Sequence, residues 1–236
     1  LALLGKAEKI KSYLLDILFP PRCIGCKRLG EWLCDDCLDE IERLEPPLCS
    51  LCGRPLPGLS LRICPLCQSS PLKIDGIRSI AYYDGIMREA IHRFKYSGLV
   101  ELSIPFGAMM SSYLMENPLP ADAIVPVPLH EERLKERGYN QAALLAHELG
   151  RKTGLPVVKK PLVRIRDTPP QVGLSADERK ENMKGAFICI GEGLAGRRVL
   201  LVDDVVTTGA TLEACSLALK DAKAISVWAL TLARAR

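Results

Sequence analysis

Apolar and polar positions along the 236-residue chain fall into two regimes. From about residue 72 onward, short apolar runs alternate with stretches in which apolar residues recur every three or four positions. Ile77–Tyr83, Ala123–Val127, Ala186–Ile190, Arg198–Val202 (apolar after its first residue) and Ala224–Leu232 read as strands. Met87–Lys95, residues 101–116, Asn140–Lys152 and Ala210–Ala222 read as helices. Ile91 and Phe94 share one face of the first, Pro105 marks a start or kink in the second, and Gly154 follows the end of the third. Strands alternating with helices predict an α/β fold, a parallel sheet flanked by helices. The residues from Arg164 to Gly185 are polar and show no clear period.

The first 70 residues follow a different rule. Ile10, Leu14, Ile17 and Leu18 sit at helical spacing, and Pro20-Pro21 stops the pattern, giving an N-terminal helix within 1–22. Residues 23–70 then hold four CxxC pairs, Cys23/Cys26, Cys34/Cys37, Cys49/Cys52 and Cys64/Cys67, in a loose repeat with spacers of seven and eleven residues. Residues 71–236 form the α/β unit, and only two further cysteines, Cys189 and Cys215, lie there.

Paired thiols of this kind point to two closed, structural zinc sites of four thiolates each rather than disulfides. Charges at Lys6, Glu8, Lys9, Lys11 and Asp16 interrupt the apolar positions that a secretion signal needs, which favours a cytoplasmic location. The repeat suggests sequential sites, 23/26/34/37 and 49/52/64/67, although the spacing also permits a crossed arrangement. Each half has too little apolar material for a core, so the metal is expected to supply most of its folding free energy. Stripping it should unfold residues 23–70 and spare the larger domain.

Composition narrows the function classes. Hydrophobic residues at 48% and charged residues at 25% exclude a disordered or charged-tail protein, and no apolar stretch reaches the roughly 20 residues of a membrane span. The formal charge of +4 is no argument for nucleic-acid binding. Eight thiolates, half cancelled by two zinc dications, bring it to zero.

The segment from Val199 to Thr211 carries the candidate chemistry. An apolar strand delivers two carboxylates, Asp203 and Asp204, at its C-terminal end, where α/β proteins bind ligands. Thr207, Thr208, Gly209, Ala210 and Thr211 then open a helix, whose N-terminal amides and hydroxyls suit a phosphate, while the acids suit sugar hydroxyls. The Gly191–Gly196 GxGxxG pattern leaves no room for a helix before the next strand and reads as a turn.

These thirteen residues resemble the phosphoribosyl-pyrophosphate (PRPP) signature of type I phosphoribosyltransferases. The resemblance implies that Asp203 and Asp204 bind the ribose hydroxyls and that the 207–211 loop holds the 5′-phosphate. It also implies that Mg2+ accompanies PRPP and that Asp203 or Asp204 steadies the charge developing during transfer. The segment Ile124–His130, then Arg133 and Arg137-Gly138-Tyr139-Asn140-Gln141, is similar to the ComF (competence protein F) subfamily. So are Tyr83-Asp84-Gly85, Lys95–Gly98, the polar stretch and the cysteine module, which resembles a double zinc ribbon.

By this likeness the amides of Val127, Leu129 and His130 hold pyrophosphate, with Arg133 and Arg137 adding charge, and residues 166–185 form a hood that excludes water. The family implies a role in DNA uptake during natural transformation. Three readings follow: a phosphoribosyltransferase with an unidentified nitrogen acceptor, a non-catalytic PRPP sensor, and a DNA-handling protein that meets single-stranded DNA or a competence helicase. The DNA reading offers Arg22, Lys27, Arg28, Arg54, Arg62, Arg88, Arg93 and Lys95 as contacts. A homo-oligomer is compatible with all three, and membrane insertion with none.

Overall fold

The structure is a computed structural model and describes residues 20–158, 161–166, 185–191 and 193–236. The expected N-terminal helix and most of the expected hood lie outside these residues.

Four parallel strands form the central sheet: β1 (Gly76–Tyr82), β2 (Ala123–Pro126), β5 (Arg198–Val206) and β6 (Ser226–Arg234), in the order β1-β6-β5-β2. Both faces are covered, which is why the strands read as apolar runs rather than alternating ones. Leu200 and Val202 face α3 (Gly85–Tyr96), α4 (Ser103–Glu116) and α6 (Gln141–Thr153). Val199 and Leu201 face α7 (Ala210–Asp221) on the other side. Pro105 lies in the first turn of α4, where its missing N–H costs nothing. Asn140 caps α6, accepting from Ala142 N at 2.9 Å while donating to Val127 O at 3.0 Å, and so ties that helix to the loop after β2.

Three features depart from the sequence reading. β5 does not end at Val202. It runs through the acid pair, with Asp203 opposite Thr231 and Val206 opposite Arg234. A short charged helix, α5 (Glu131–Arg137), precedes α6 and buries no residue. The apolar run at 186–190 forms β4 (Phe187–Cys189), which leaves the main sheet and pairs antiparallel with β3 (Leu162–Arg164).

The cysteine module is built of two near-copies. In each, the first cysteine's N–H closes a knuckle: Cys23 N to Arg28 O and Cys49 N to Arg54 O, both at 2.8 Å. The third cysteine precedes a five-residue helix that carries the fourth, in α1 (Asp35–Asp39) and α2 (Pro65–Ser69).

This module does not hang from the sheet on a free linker. Leu44 N donates to Ile80 O at 2.9 Å, Tyr82 N to Glu42 O at 3.0 Å and Ile77 N to Leu51 O at 2.7 Å, so residues 42–51 cover the outer edge of β1. Ile24, Leu33, Cys34, Cys37 and Ile41 belong to the same apolar cluster as Ile80, Met87, Phe94 and Leu230. Module and sheet share one core, so metal removal is expected to disturb the larger domain as well, rather than to spare it. No helix among the described residues is long and apolar enough to cross a membrane.

Candidate functional site

A cleft of about 490 Å3 lies at the C-terminal ends of β2 and β5. Its floor is the acid pair. Its walls are the 127–129 loop, Arg133, Gln141 and Arg164, with Thr207, Gly209, Ala210 and Thr211 at the start of α7.

Because successive strand residues point to opposite faces, the two carboxylates have different surroundings. Asp204 is buried, and its Oδ1 is 2.8 Å from the Lys95 ammonium on α3. Its Oδ2 is buried and meets no partner among the described residues. Burial opposes the charge on Lys95, yet the carboxylates of Asp204 and Asp203 hold the ammonium above its ordinary pKa. Asp203 is partly open to the cleft and accepts from the Asp204 amide at 2.9 Å. Burial, then the neighbouring Asp204 charge, pushes its carboxyl up to about 7.

The site thus holds one carboxylate paired with Lys95 and one, Asp203, whose proton is held up to about 7. The folded state binds that proton more tightly than the unfolded chain, whose aspartates titrate near ~3.9. Stability is therefore lost as pH rises from the unfolded value through about 7. Asp203→Asn should gain on the wild type as pH is raised from about 5.5 to about 8, and thermal unfolding at each pH tests this. An unchanged difference between the two proteins across that range would show that Asp203 carries no such proton.

The phosphate-loop geometry depends on Gly209, at φ +89°, a left-handed conformation that other residues adopt at a cost. A Cβ there would also lie 3.0 Å from Ile77 Cδ1. Replacing Gly209 with valine would therefore strain the fold, and changes at Thr207 are the cleaner probes.

Not every expected residue reaches the cleft. Asp203, Asp204, Thr207, Gly209, Ala210, Thr211, Val127 and Leu129 line it. Thr208 faces a second cavity behind the loop. His130 caps α5 without lining the cleft. Arg137 lies over the Tyr96 ring and donates to Gln141, which does line it. The Val127 amide, expected to face pyrophosphate, donates instead to Val202 O at 3.0 Å. Lys95, expected as a surface contact for DNA, is instead half-buried at the cleft and paired with Asp204. Tyr83, Gln141 and Arg164 were not singled out as ligand-binding positions by sequence, since nothing local separates them from ordinary polar residues.

The eight module cysteines form two sets, Cys23/Cys26/Cys34/Cys37 and Cys49/Cys52/Cys64/Cys67, each with its sulfurs within 4.8 Å of one another. This is the sequential arrangement. Cys26 and Cys34 sulfurs are 3.6 Å apart, as are those of Cys52 and Cys64, close to the about 3.8 Å edge of a tetrahedron with ~2.3 Å metal–sulfur bonds. Backbone N–H groups of Cys34 and Cys64 approach the sulfurs of Cys23 and Cys49 at 3.5 and 3.3 Å. Burial raises the pKa of both thiols, but these and other backbone N–H contacts outweigh it and lower Cys23 and Cys49 to about 6, towards the thiolate that a metal needs. The donor set fits zinc.

Comparisons with known proteins agree with both halves. A double zinc ribbon domain family model matches residues 14–69, and a phosphoribosyl transferase domain family model matches residues 134–236. Competence protein F of Haemophilus influenzae is 33% identical, spanning 89% of this chain and 96% of that protein. Competence protein ComFC of Bacillus subtilis is 32% identical over 98% and 97%. The DNA utilization protein YhgH of Escherichia coli is 33% identical over 89% and 96%. A parallel sheet with a ligand cleft at its strand ends, two four-cysteine clusters before it and relatives matched along almost their whole length lead to one assignment: the chain belongs to the competence protein F/ComFC/YhgH family.

Proposed function

We propose that the cleft binds PRPP together with Mg2+, and that the protein uses this site in bacterial DNA uptake. The carrying observation is the convergence of Asp203, Asp204 and the N-terminal turn of α7 on one cleft. Thr207, Gly209, Ala210 and Thr211 would hold the 5′-phosphate at the positive end of the helix. Asp203 and Asp204 would meet the ribose hydroxyls or Mg2+, and the unpartnered Oδ2 of Asp204 suits either, since both need an oxygen acceptor. Arg133, Arg164 and the Leu129 amide support the pyrophosphate side. When bound, Mg2+ would neutralise pyrophosphate charge.

Calorimetry with PRPP and Mg2+ tests the site. Thr207→Val should weaken binding tenfold or more, since one hydrogen bond to a charged phosphate contributes on the order of 1.5–3 kcal/mol. Unchanged affinity would remove the loop from the ligand site. A screen for pyrophosphate release with nitrogen nucleophiles then separates a transferase, which releases it, from a sensor, which does not.

The names of the relatives support the DNA context. Much of the expected basic set is already engaged: Arg28 with Asp36 at 2.7 Å, Arg93 with Glu89 at 2.7 Å and Lys95 with Asp204. Arg22, Arg62 and Arg88 are exposed. Binding to single-stranded DNA should therefore be modest and salt-sensitive, with a log–log slope near about −0.7 per phosphate contact. Affinity indifferent to salt would exclude these contacts.

A further inference from the structure

Arg234, at the end of β6, is 3% exposed and stands between the second cysteine cluster and the phosphate loop. One of its terminal nitrogens donates to the carbonyl of Cys52. The other reaches the carbonyl of Thr207 at 3.5 Å. A guanidinium presents its donors in a rigid plane, so a shift at one carbonyl is carried to the other.

A second route runs through Ile77. Its N–H donates to Leu51 O within the Cys49–Cys52 knuckle. A Cβ on Gly53 would lie 2.4 Å from the Ile77 carbonyl, an approach that only glycine allows. On the side-chain end, Ile77 Cδ1 fills the space beside Gly209. A cavity of about 380 Å3 lies beside Arg234, bordered by Cys52, Cys67 and Arg54 of the module and by Thr208 and Glu213 of the loop and helix.

The first cluster is placed differently: Gly25, between Cys23 and Cys26, packs against Ile86 at the start of α3, the end remote from Lys95.

We propose that the second cysteine cluster, acting through Arg234 and Ile77, holds the 207–211 loop in its ligand-binding shape, so that metal in that cluster and ligand in the cleft stabilise one another. Arg234 is then a positioning residue, and the two metal sites differ in role. The inference rests on the reading of the cleft as a PRPP site.

Reciprocity supplies the test, because a ligand that is favoured by the metal must in turn favour the metal. The full-length zinc-loaded protein is exposed to chelator and N-ethylmaleimide, with and without PRPP and Mg2+, and modified cysteines are mapped by mass spectrometry. Ligand should slow modification of Cys49, Cys52, Cys64 and Cys67 by about 5-fold or more, and leave Cys23, Cys26, Cys34 and Cys37 little changed. Arg234→Gln should lose this selective protection and bind PRPP more weakly by calorimetry. If calorimetry shows wild-type binding but the two clusters are protected equally, or the second not at all, the coupling is overturned alone. If calorimetry shows no binding, the reading of the cleft falls and the coupling with it.

Discussion

Chelation of the metal should melt the parallel sheet together with the cysteine module. Structural zinc contributes an apparent ~10–16 kcal/mol to small cysteine domains, as much as or more than the ~5–15 kcal/mol stability of a whole domain. That energy is shared here. Cys34, Cys37 and Ile41 pack with Ile80 and Met87, and the backbone of Glu42–Leu44 bonds to β1. Metal analysis should give close to two equivalents. On stripping, amide hydrogens of Ile77–Tyr82 should lose protection as well as those of the knuckles. A stripped protein that keeps native protection along β1 would show that the module and the sheet are independent. By the same argument, residues 72–236 alone should be poorly stable, since they expose the edge of β1 and the core beside α3.

Lys95→Met should destabilise the protein by about 3–5 kcal/mol at neutral pH, because it leaves Asp204 buried without its counter-charge. The lysine keeps only 18% of its side-chain surface and the aspartate 4%, so solvent screens the pair weakly. Denaturant midpoints would read this, with slopes unchanged. The double variant Lys95→Met/Asp204→Leu should recover most of the loss, since a buried apolar pair of similar size leaves no charge unpaired. A neutral single variant, or a double variant as unstable as the single one, would mean that the pair is not formed.

Both results turn on contacts that no local pattern announces. Lys95 sits on an amphipathic helix where a basic residue ordinarily marks the wet face, and its partner Asp204 comes from a distant strand. Arg234 lies two residues beyond the apolar run that ends at Leu232, and only the fold brings it to Cys52 and Thr207. The strands were legible where burial on both faces demands continuous apolar side chains, as in Val199–Val202. The extent of β5 was not, because Asp203 and Asp204 interrupt that signal while the ladder to Thr231 continues beneath them. Helix α5 escaped for the opposite reason. It has no buried residue, and its support includes the exposed Glu131–Lys135 pair at 2.9 Å. The cysteine sets were the most legible feature: four CxxC pairs announce the ligands, and the fold then closes the choice between sequential and crossed pairing.

The position of β6 has a consequence for biosynthesis. The strand at 226–234 lies in the middle of the sheet, between β1 and β5, so the ribosome delivers a central strand after the other three. Until then β1 lacks its neighbour on that side, and long-range parallel pairings of this kind form slowly. The module made first is also the one that covers the other edge of β1, through Glu42, Leu44 and Leu51. A nascent chain that has captured its metal can thus shield one edge of β1 from neighbouring polypeptides during the wait, whereas without metal the waiting strand would have both edges bare and be prone to aggregate.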